Sequence, residues 1–191
     1  MKNFIKLFSL SLLVFLPSCF IVPSLHPLYS DKDLIFEPAL LGVWTSDDSK
    51  DTLSFTMQSE KSYIFALADE KGEKTEFVAH LLKIQNTMFL DLYPAEASCH
   101  QNDFYSEYFI PVHSFMLVSQ IEPALQLSSF EMDWLKKFIE KNPKAIRHEK
   151  IKDNILLTAS TPELQKFLLA HVKTEGAFGS ASNLTRQTGG Q

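Results

Sequence analysis

The histidines are the side chains of this sequence whose chemistry best suits metal binding or proton transfer. They are His26, His80, His100, His113, His148 and His171. No two of them have the spacing of a zinc motif, in which two histidines four residues apart flank a glutamate on one helical face. His80 and His113 lie in long predicted strands and could face each other across a sheet, where two neutral imidazoles would be able to bind a metal. The spacing favours ordinary core or surface histidines, so we predict no metal site and no cofactor.

Carboxylates and serines give no clearer sign of catalysis. Asp91 lies between Leu90 and Leu92, and because neighbouring side chains of a strand point to opposite faces, we expect its carboxylate to face the solvent. The Gly-x-Ser-x-Gly motif of a nucleophile elbow is absent, and the six glycines do not form a phosphate-binding loop. The sequence therefore predicts a protein that is not an enzyme. A hydrolase with dispersed catalytic residues stays open as an alternative, and it requires a cleft that holds a titratable pair with displaced pKa values.

The N-terminal sequence has the organisation of a signal peptide. Lys2 and Lys6 precede an apolar run over residues 7–16, and Pro17 and Ser18 follow it. A helix that crosses a bilayer needs about 20 apolar residues, so this run is too short to stay as a membrane span. We therefore expect residues 1–18 to be removed during export.

The segment Leu16-Pro17-Ser18-Cys19 resembles the lipobox of bacterial lipoprotein precursors. The resemblance implies that the thiol of Cys19 is diacylated with fatty acids such as palmitate and that Cys19 becomes the new N-terminus. Two or three acyl chains hold a protein stably at a membrane, whereas one chain does so only marginally. Phe20 follows the cysteine, which is similar to enterobacterial lipoproteins that are sorted to the outer membrane. The expected location is therefore the exported side of a membrane, with the outer membrane facing the periplasm as the preferred one.

The state of the second cysteine, Cys99, distinguishes a lipoprotein from an ordinary secreted protein. If Cys19 is acylated, Cys99 has no disulfide partner within the chain. If the protein is instead an ordinary secreted one, a Cys19–Cys99 disulfide can form in an oxidising compartment. His100 follows Cys99 directly, but neighbouring residues of an extended chain face opposite ways, so these two do not form a proton-transfer pair by default.

The charge and length of the chain limit its possible partners and its domain organisation. The 191 residues carry a formal charge of −5, which becomes −7 when Lys2 and Lys6 are removed with the leader. An acidic protein without a basic stripe matches nucleic acid poorly, so no nucleic-acid partner is expected. Residues 19–39 contain three prolines and predict a lipid-anchored linker or an arm laid over the domain. Residues 40–178 predict a single β-rich domain, and residues 179–191, rich in Ser, Thr, Gly and Gln, predict a disordered tail.

Strands are predicted through most of this domain. Leu53, Phe55 and Met57 alternate with polar residues, as in a strand with one buried face. Further strands are predicted over residues 63–67, 75–84, 87–93, 105–118 and 124–127, with a hairpin or single strand over 148–159 that turns at Asp153-Asn154. Short turns without intervening helices make the pairing antiparallel. Gln85-Asn86 predicts a tight hairpin turn in which Asn86 takes the left-handed backbone conformation.

Two helices are predicted in the last third of the chain, near residues 130–141 and 162–173. Ser128 and Glu131 have the spacing of a capping box at the start of the first helix. Thr161 precedes a proline and a glutamate, as an N-cap does, at the start of the second. Both segments carry apolar residues at helical spacing and should pack on the sheet.

The triplet Gly42-Val43-Trp44, at the start of the first predicted strand, resembles the opening motif of lipocalins and related small barrels. In that family the tryptophan closes the base of the barrel. The order of several antiparallel strands followed by a late helix is also similar to that family. We therefore predict a fold that is mainly β with two C-terminal helices (α+β), either an antiparallel, lipocalin-like barrel or a strongly curved sheet.

Three further runs are similar to those of short bacterial lipoproteins that have no established activity. They are Leu25-His26-Pro27-Leu28-Tyr29, Leu40-Leu41-Gly42-Val43-Trp44 and Phe89-Leu90-Asp91-Leu92-Tyr93-Pro94. The 16 phenylalanines and 5 tyrosines are enough either to fill a small barrel or to line a pocket. These observations predict a membrane-anchored envelope lipoprotein that is not an enzyme and that binds a small apolar ligand or an envelope protein. A structural or assembly role in the cell envelope is the alternative.

Overall fold

The structure is a computed structural model that describes residues 21–46, 49–95 and 110–187. Cys19, Cys99 and His100 lie outside the described residues, so lipidation and the alternative disulfide remain predictions. None of the helices in these three stretches is long and apolar enough to cross a membrane.

The described residues form ten strands and two helices after a short 3-10 turn at Pro38–Leu40. In chain order they are β1 (Gly42–Thr45), β2 (Thr52–Ser59), β3 (Ser62–Ala68), β4 (Lys74–Ile84), β5 (Thr87–Pro94), β6 (Ser114–Gln120), β7 (Leu125–Ser129), α1 (Met132–Lys141), β8 (His148–Ile151), β9 (Asn154–Leu157), α2 (Thr161–His171) and β10 (Ser182–Arg186). Eight strands close into an antiparallel barrel in the order β1-β10-β7-β6-β5-β4-β3-β2, and β8 pairs with β9 in a separate hairpin. The predicted fold class is confirmed, and the sheet is a closed barrel.

The last strand corrects the prediction of a disordered tail at residues 182–186, whereas residues 188–191 of that prediction lie outside the described residues. β10 pairs with β1 on one side, where Trp44 faces Arg186, and with β7 on the other, where Leu184 faces Leu125. Its sequence pattern is weak because Leu184 is the one buried residue of the strand. The strand forms because both neighbours present unpaired backbone N–H and C=O groups, and closing the barrel removes both exposed edges.

Apolar side chains fill the inside of the barrel. Each strand sends alternate residues inward, as the pleat of a strand requires. The buried inward residues include Trp44, Phe55, Tyr63, Leu81, Leu90 and Leu125. Side chains of this size are sufficient to occupy the interior of a barrel with eight strands. The interior is therefore a packed core.

A second apolar core lies outside the barrel. Both helices and the β8–β9 hairpin pack against the outer face of β4, β5 and β6. The buried residues of this outer layer include Leu82, Phe89, Phe115, Leu135, Ile155 and Leu164. β5 is consequently covered on both faces, and four of its successive residues are buried, from Phe89 to Leu92.

Two hairpin turns differ from the predictions. Between β4 and β5, Gln85 rather than Asn86 has the left-handed backbone, with φ of 55°. Between β8 and β9, Lys152 also has φ of 55°, and the turn consists of Lys152 and Asp153, because Asn154 already belongs to β9. The pairing of β4 with β5 leaves Gln85 and Asn86 to make the turn, as predicted. The pairing of β8 with β9 leaves Lys152 and Asp153, and this outweighs the local preference of Asn154 for a turn.

The helix starts also differ from the predictions. Ser128 lies in β7, where pairing with β6 holds it in the sheet, so it does not cap the first helix. α1 begins after Glu131, which makes no side-chain cap. α2 begins with a capping box, but Ser160 rather than Thr161 is its N-cap. The N–H and the hydroxyl of Ser160 both donate to the carboxylate of Glu163, at 2.8 and 2.6 Å.

Candidate functional site

Residues 21–36, which we call the arm, lie against the barrel. Most of the arm covers the outer face, and Ile35 and Phe36 at its end pack against the inner core. Ser24 and His113 exchange two backbone hydrogen bonds, of 2.9 and 2.8 Å, next to the start of β6. On the other side of the arm, Leu25 N–H donates to Leu157 O and Leu157 N–H donates to Pro23 O, each at 2.9 Å. The arm therefore forms a short strand that joins the barrel wall to the β8–β9 hairpin.

Side chains of the second helix fix the middle of the arm. The Thr161 hydroxyl donates to Pro27 O at 2.7 Å. The amide of Gln165 donates to Leu28 O at 2.8 Å and to the carboxylate of Asp33 at 2.9 Å. The arm has little secondary structure of its own, so its carbonyl groups need other hydrogen-bond partners. The helix side chains donate to the carbonyl groups of Pro27 and Leu28, which would otherwise be covered without a partner.

Asp91 lies beneath the arm and is fully buried, with 0% of its surface exposed. The prediction that it points away from Leu90 and Leu92 is correct, because those two side chains belong to the barrel interior. The prediction that it faces the solvent is wrong. The arm and the outer apolar layer cover the outer face of β5, so the side chain that leaves the interior enters a second core.

Both oxygens of the Asp91 carboxylate have protein partners. Oδ1 lies 2.6 Å from Nδ1 of His113, and Oδ2 accepts the N–H of Leu28 at 2.6 Å. An ionised Asp91 can only accept hydrogen bonds, and this contact then requires the proton on Nδ1 of His113. Hydrogen bonds to a charged acceptor are short and strong, and they offset part of the cost of removing the carboxylate from water. The pair links the start of β6 and the middle of the arm through one side chain of β5.

Two aromatic side chains and a second histidine surround this carboxylate. His80 is the β4 residue opposite Asp91, and its ring lies 4.4 Å from that of Tyr29 in the arm. The ring of Tyr93 lies 4.7 Å from that of His113. Burial lowers the pKa of His80 below its ordinary 6.5, although the negative charge of Asp91 opposes this shift. Burial, together with the same negative charge, raises the pKa of Tyr29. We call these five residues the Asp91 cluster.

The cluster does not have the form of a metal centre. His80 and His113 lie on opposite sides of β5, with Asp91 between them, so they do not face each other across neighbouring strands. Nδ1 of His80 is buried and has no hydrogen-bond partner among the described residues. Within residues 21–46, 49–95 and 110–187, no three His, Cys, Asp or Glu side chains are arranged to hold a metal ion.

A different set of contacts closes one part of the barrel around Trp44. The indole is fully buried, and its Nε1 donates to Leu40 O at 2.9 Å. The guanidinium of Arg186 lies 4.3 Å from the indole ring centre and donates to Leu41 O. Gly42 has φ of 126°, and a Cβ there would lie 2.8 Å from Nη1 of Arg186. The Gly-x-Trp triplet therefore provides both the indole and the space in which Arg186 covers it.

Sequence reasoning missed Tyr29 and Arg186 and misjudged Asp91. A signal existed for Asp91, because an unbroken apolar run with one acidic residue indicates a strand that is covered on both faces. Arg186 had no comparable signal, since it lies in a polar segment without periodicity. Comparisons with protein-family models, with curated proteins and with solved structures returned no match to this chain.

Proposed function

We propose that the protein is a membrane-anchored envelope lipoprotein that works as a protein-binding module and not as an enzyme. The observation that carries the proposal is the attachment of the arm. Cys19 is only two residues before Ile21, and from Ser24 onward the arm is bonded to the barrel wall, to the β8–β9 hairpin and to α2. An acylated Cys19 would therefore hold the barrel close to the bilayer instead of on a long flexible tether.

The packed interior favours a protein partner over a small apolar ligand. A ligand-binding barrel of this size needs space among its inward side chains. Here the inward positions are occupied by Trp44, Phe55 and Tyr63, which are at most 1% exposed, and by the other apolar residues of the inner core. The closed barrel and its Gly42-Val43-Trp44 opening support a lipocalin-like relationship in architecture, and we propose that relationship without its ligand cavity.

The Asp91 cluster supports a structural role for the one buried acid-base pair in the site. Catalysis by the Asp91–His113 pair would require a substrate to reach it, and Asp91 is fully buried with both oxygens bonded. The carboxylate is placed to hold the arm, because its Oδ2 accepts the Leu28 N–H. We therefore propose that the pair serves to fix the anchor segment to the barrel.

Two measurements test the proposal. Mass spectrometry of the N-terminal peptide of the processed protein should find a diacylglyceryl group on Cys19, and Cys19→Ala should release the chain from the membrane fraction. An intact Met1 on a cytosolic protein without fatty acid would contradict the anchor. Lipids extracted with the purified protein should include no stoichiometric apolar ligand, and finding one would contradict the protein-binding form of the proposal.

The partner is sought by photo-crosslinking in intact cells. A crosslinking amino acid at Met57, which is 56% exposed, or at Ile151, which is 52% exposed, probes the barrel rim and the β8–β9 hairpin separately. Glu60 lies in the same β2–β3 turn region as Met57 and is exposed, so it is the matched control. A discrete protein adduct from one apolar position and not from the control is expected. Equal or absent adducts at all three positions would count against a protein partner.

A further inference from the structure

The basic residues of this acidic protein are concentrated in its helical layer. Residues 132–173 hold nine of the 18 Lys and Arg residues and only five Asp and Glu residues, a formal charge of +4. Residues 40–46, 49–95 and 110–131, which include seven of the eight barrel strands, hold five basic and nine acidic residues, a formal charge of −4. In the described residues the helical layer is therefore net basic and the barrel net acidic.

Exposed lysines of this layer lie on both helices, in the segments that follow them and on the β8–β9 hairpin. We define the helical face by Lys137, Lys141, Lys144, Lys166 and Lys173, all of which are exposed. α1 and α2 run antiparallel, since the residue before α1, Glu131, donates its N–H to Ala177 O just after α2 at 3.0 Å. Arg147 pairs with Glu163 at 2.6 Å and so contributes less free charge to this face.

Aromatic side chains of the two helices contact one another at Trp134. Trp134 and Phe138 stack at 4.9 Å on α1, and both are only partly buried. The ring of His171 from α2 lies 5.1 Å from Trp134. A partly exposed tryptophan on a helix that also carries exposed lysines fits a protein surface at the headgroup level of a bilayer.

The start of the arm brings the proposed anchor to the same end of the helices. Ile21 forms a β-bridge with Glu131, the residue that precedes α1, and is 59% exposed. Two residues of extended chain span at most about 7 Å, so an acylated Cys19 would hold this helix end close to the bilayer. The acyl chains would therefore enter the bilayer near the start of α1, where β7 passes into the helical layer.

We propose that the helical face lies on an anionic phospholipid surface, so that the protein is held at the membrane in one orientation with the acidic barrel turned away. This inference rests on the proposed lipid anchor for the position of the membrane. Its charge argument is separate, because lysines near an anionic leaflet are attracted whether or not an acyl chain is present. The polarity also opposes the reverse orientation, in which the acidic barrel would meet anionic headgroups.

The test uses the processed full-length chain reconstituted in phosphatidylcholine vesicles with or without phosphatidylglycerol. Headgroup-level nitroxide lipids quench a tryptophan that lies at the surface. Trp134 should be quenched only when phosphatidylglycerol is present, whereas the fully buried Trp44 should not be, and Trp134→Phe should remove the quenched signal. Quenching should also be lost in about 1 M salt, where electrostatic screening acts within about 3 Å.

Two matched triple variants show whether binding depends on the lysines of the helical face or on the total charge of the protein. The triple variant Lys137→Gln/Lys144→Gln/Lys166→Gln should lose the phosphatidylglycerol-dependent quenching. The control Lys61→Gln/Lys71→Gln/Lys74→Gln removes the same charge from exposed barrel positions and should keep it. Equal quenching in phosphatidylcholine alone, or equal behaviour of the two triple variants, would overturn the proposal. So would a dimer in solution that requires the same helical lysines, because that result assigns the face to a second copy of the chain.

A result against the lipid anchor can be distinguished from a result against membrane contact by the helical face. If Cys19 carries no fatty acid, the unacylated chain is added to the same vesicles. Binding that needs phosphatidylglycerol and weakens on the order of a hundredfold in the helical triple variant would support the face without the anchor. No binding of that chain to phosphatidylglycerol vesicles would overturn the face as well.

Discussion

Replacing Asp91 tests whether one buried carboxylate fixes the arm to the barrel. In Asp91→Leu, the N–H of Leu28 and the Nδ1–H of His113 both lose their acceptor in a site that excludes water. Each buried donor left unpaired costs about 1–3 kcal/mol, so the free energy of unfolding should fall by about 2–6 kcal/mol. That loss is a large fraction of the roughly 5–15 kcal/mol by which domains are stable.

Asp91→Asn separates hydrogen bonding from charge. The asparagine oxygen can still accept the Leu28 N–H, and its amide can donate to His113 once the imidazole changes tautomer. Only the negative charge of the acceptor is lost. Because a charged acceptor makes a hydrogen bond roughly twice as strong, we expect the free energy of unfolding to fall by about 1–2 kcal/mol. Urea unfolding followed by circular dichroism measures both variants. Asp153→Asn, at an exposed turn position, is the matched control and should change stability by no more than about 0.5 kcal/mol.

The arm supplies a second readout for the same variants. Limited proteolysis should cut residues 21–36 faster in Asp91→Leu than in the Asp91→Asn variant or the wild-type protein, because opening of the arm no longer breaks the bond to Leu28. A double-mutant cycle of Asp91→Leu with His113→Phe should give a coupling energy of about 1–3 kcal/mol. Wild-type stability and an uncut arm in Asp91→Leu would refute the reasoning.

Three further predictions concern other parts of the fold. Burial holds the pKa of His80 below its ordinary 6.5. Below about pH 6.5 the unfolded chain therefore binds more protons than the folded one, and stability should fall with falling pH. Urea unfolding at several pH values should show a weaker pH dependence of stability in His80→Phe. Arg186→Gln loses bonds to backbone carbonyls and its contact with Trp44, and thermal unfolding should show a loss of roughly 2–4 kcal/mol, compared with almost none for Lys61→Gln. Ser160→Ala removes a hydroxyl from the capping box of α2 and should cost about 1 kcal/mol in urea unfolding.

Most strands of the barrel were predictable because they have a local pattern. Phe55 and its neighbours in β2 alternate with polar residues, and the period of two is visible without any knowledge of the partner strands. The two helices were predictable for the same reason. Their first residues were not, since Ser128 satisfies a local capping rule but is retained by its pairing partner in the sheet.

The Asp91 cluster was only half predictable. The alternation of β5 gave the direction of the side chain correctly, away from Leu90 and Leu92. What covers that side depends on contacts between Leu28 and Asp91, which are 63 residues apart in sequence. Patterns within one strand carry no information about such a distant cover. β10 was missed for a related reason, because its pairing with two strands outweighs a composition that by itself indicates disorder.

The closing strand also bears on how the chain reaches its folded state. Thr45 in β1 and Thr185 in β10 are neighbours in the barrel although they are 140 residues apart in the chain. Contacts between such distant segments form late and slowly, because a long loop must close before they contribute any stability. Until then β1 and β7 each offer an open backbone edge to other chains. Aggregation during folding should therefore begin at the edges of β1 and β7 that β10 later covers. A chaperone that shields these edges, or slower synthesis of the protein, should reduce it.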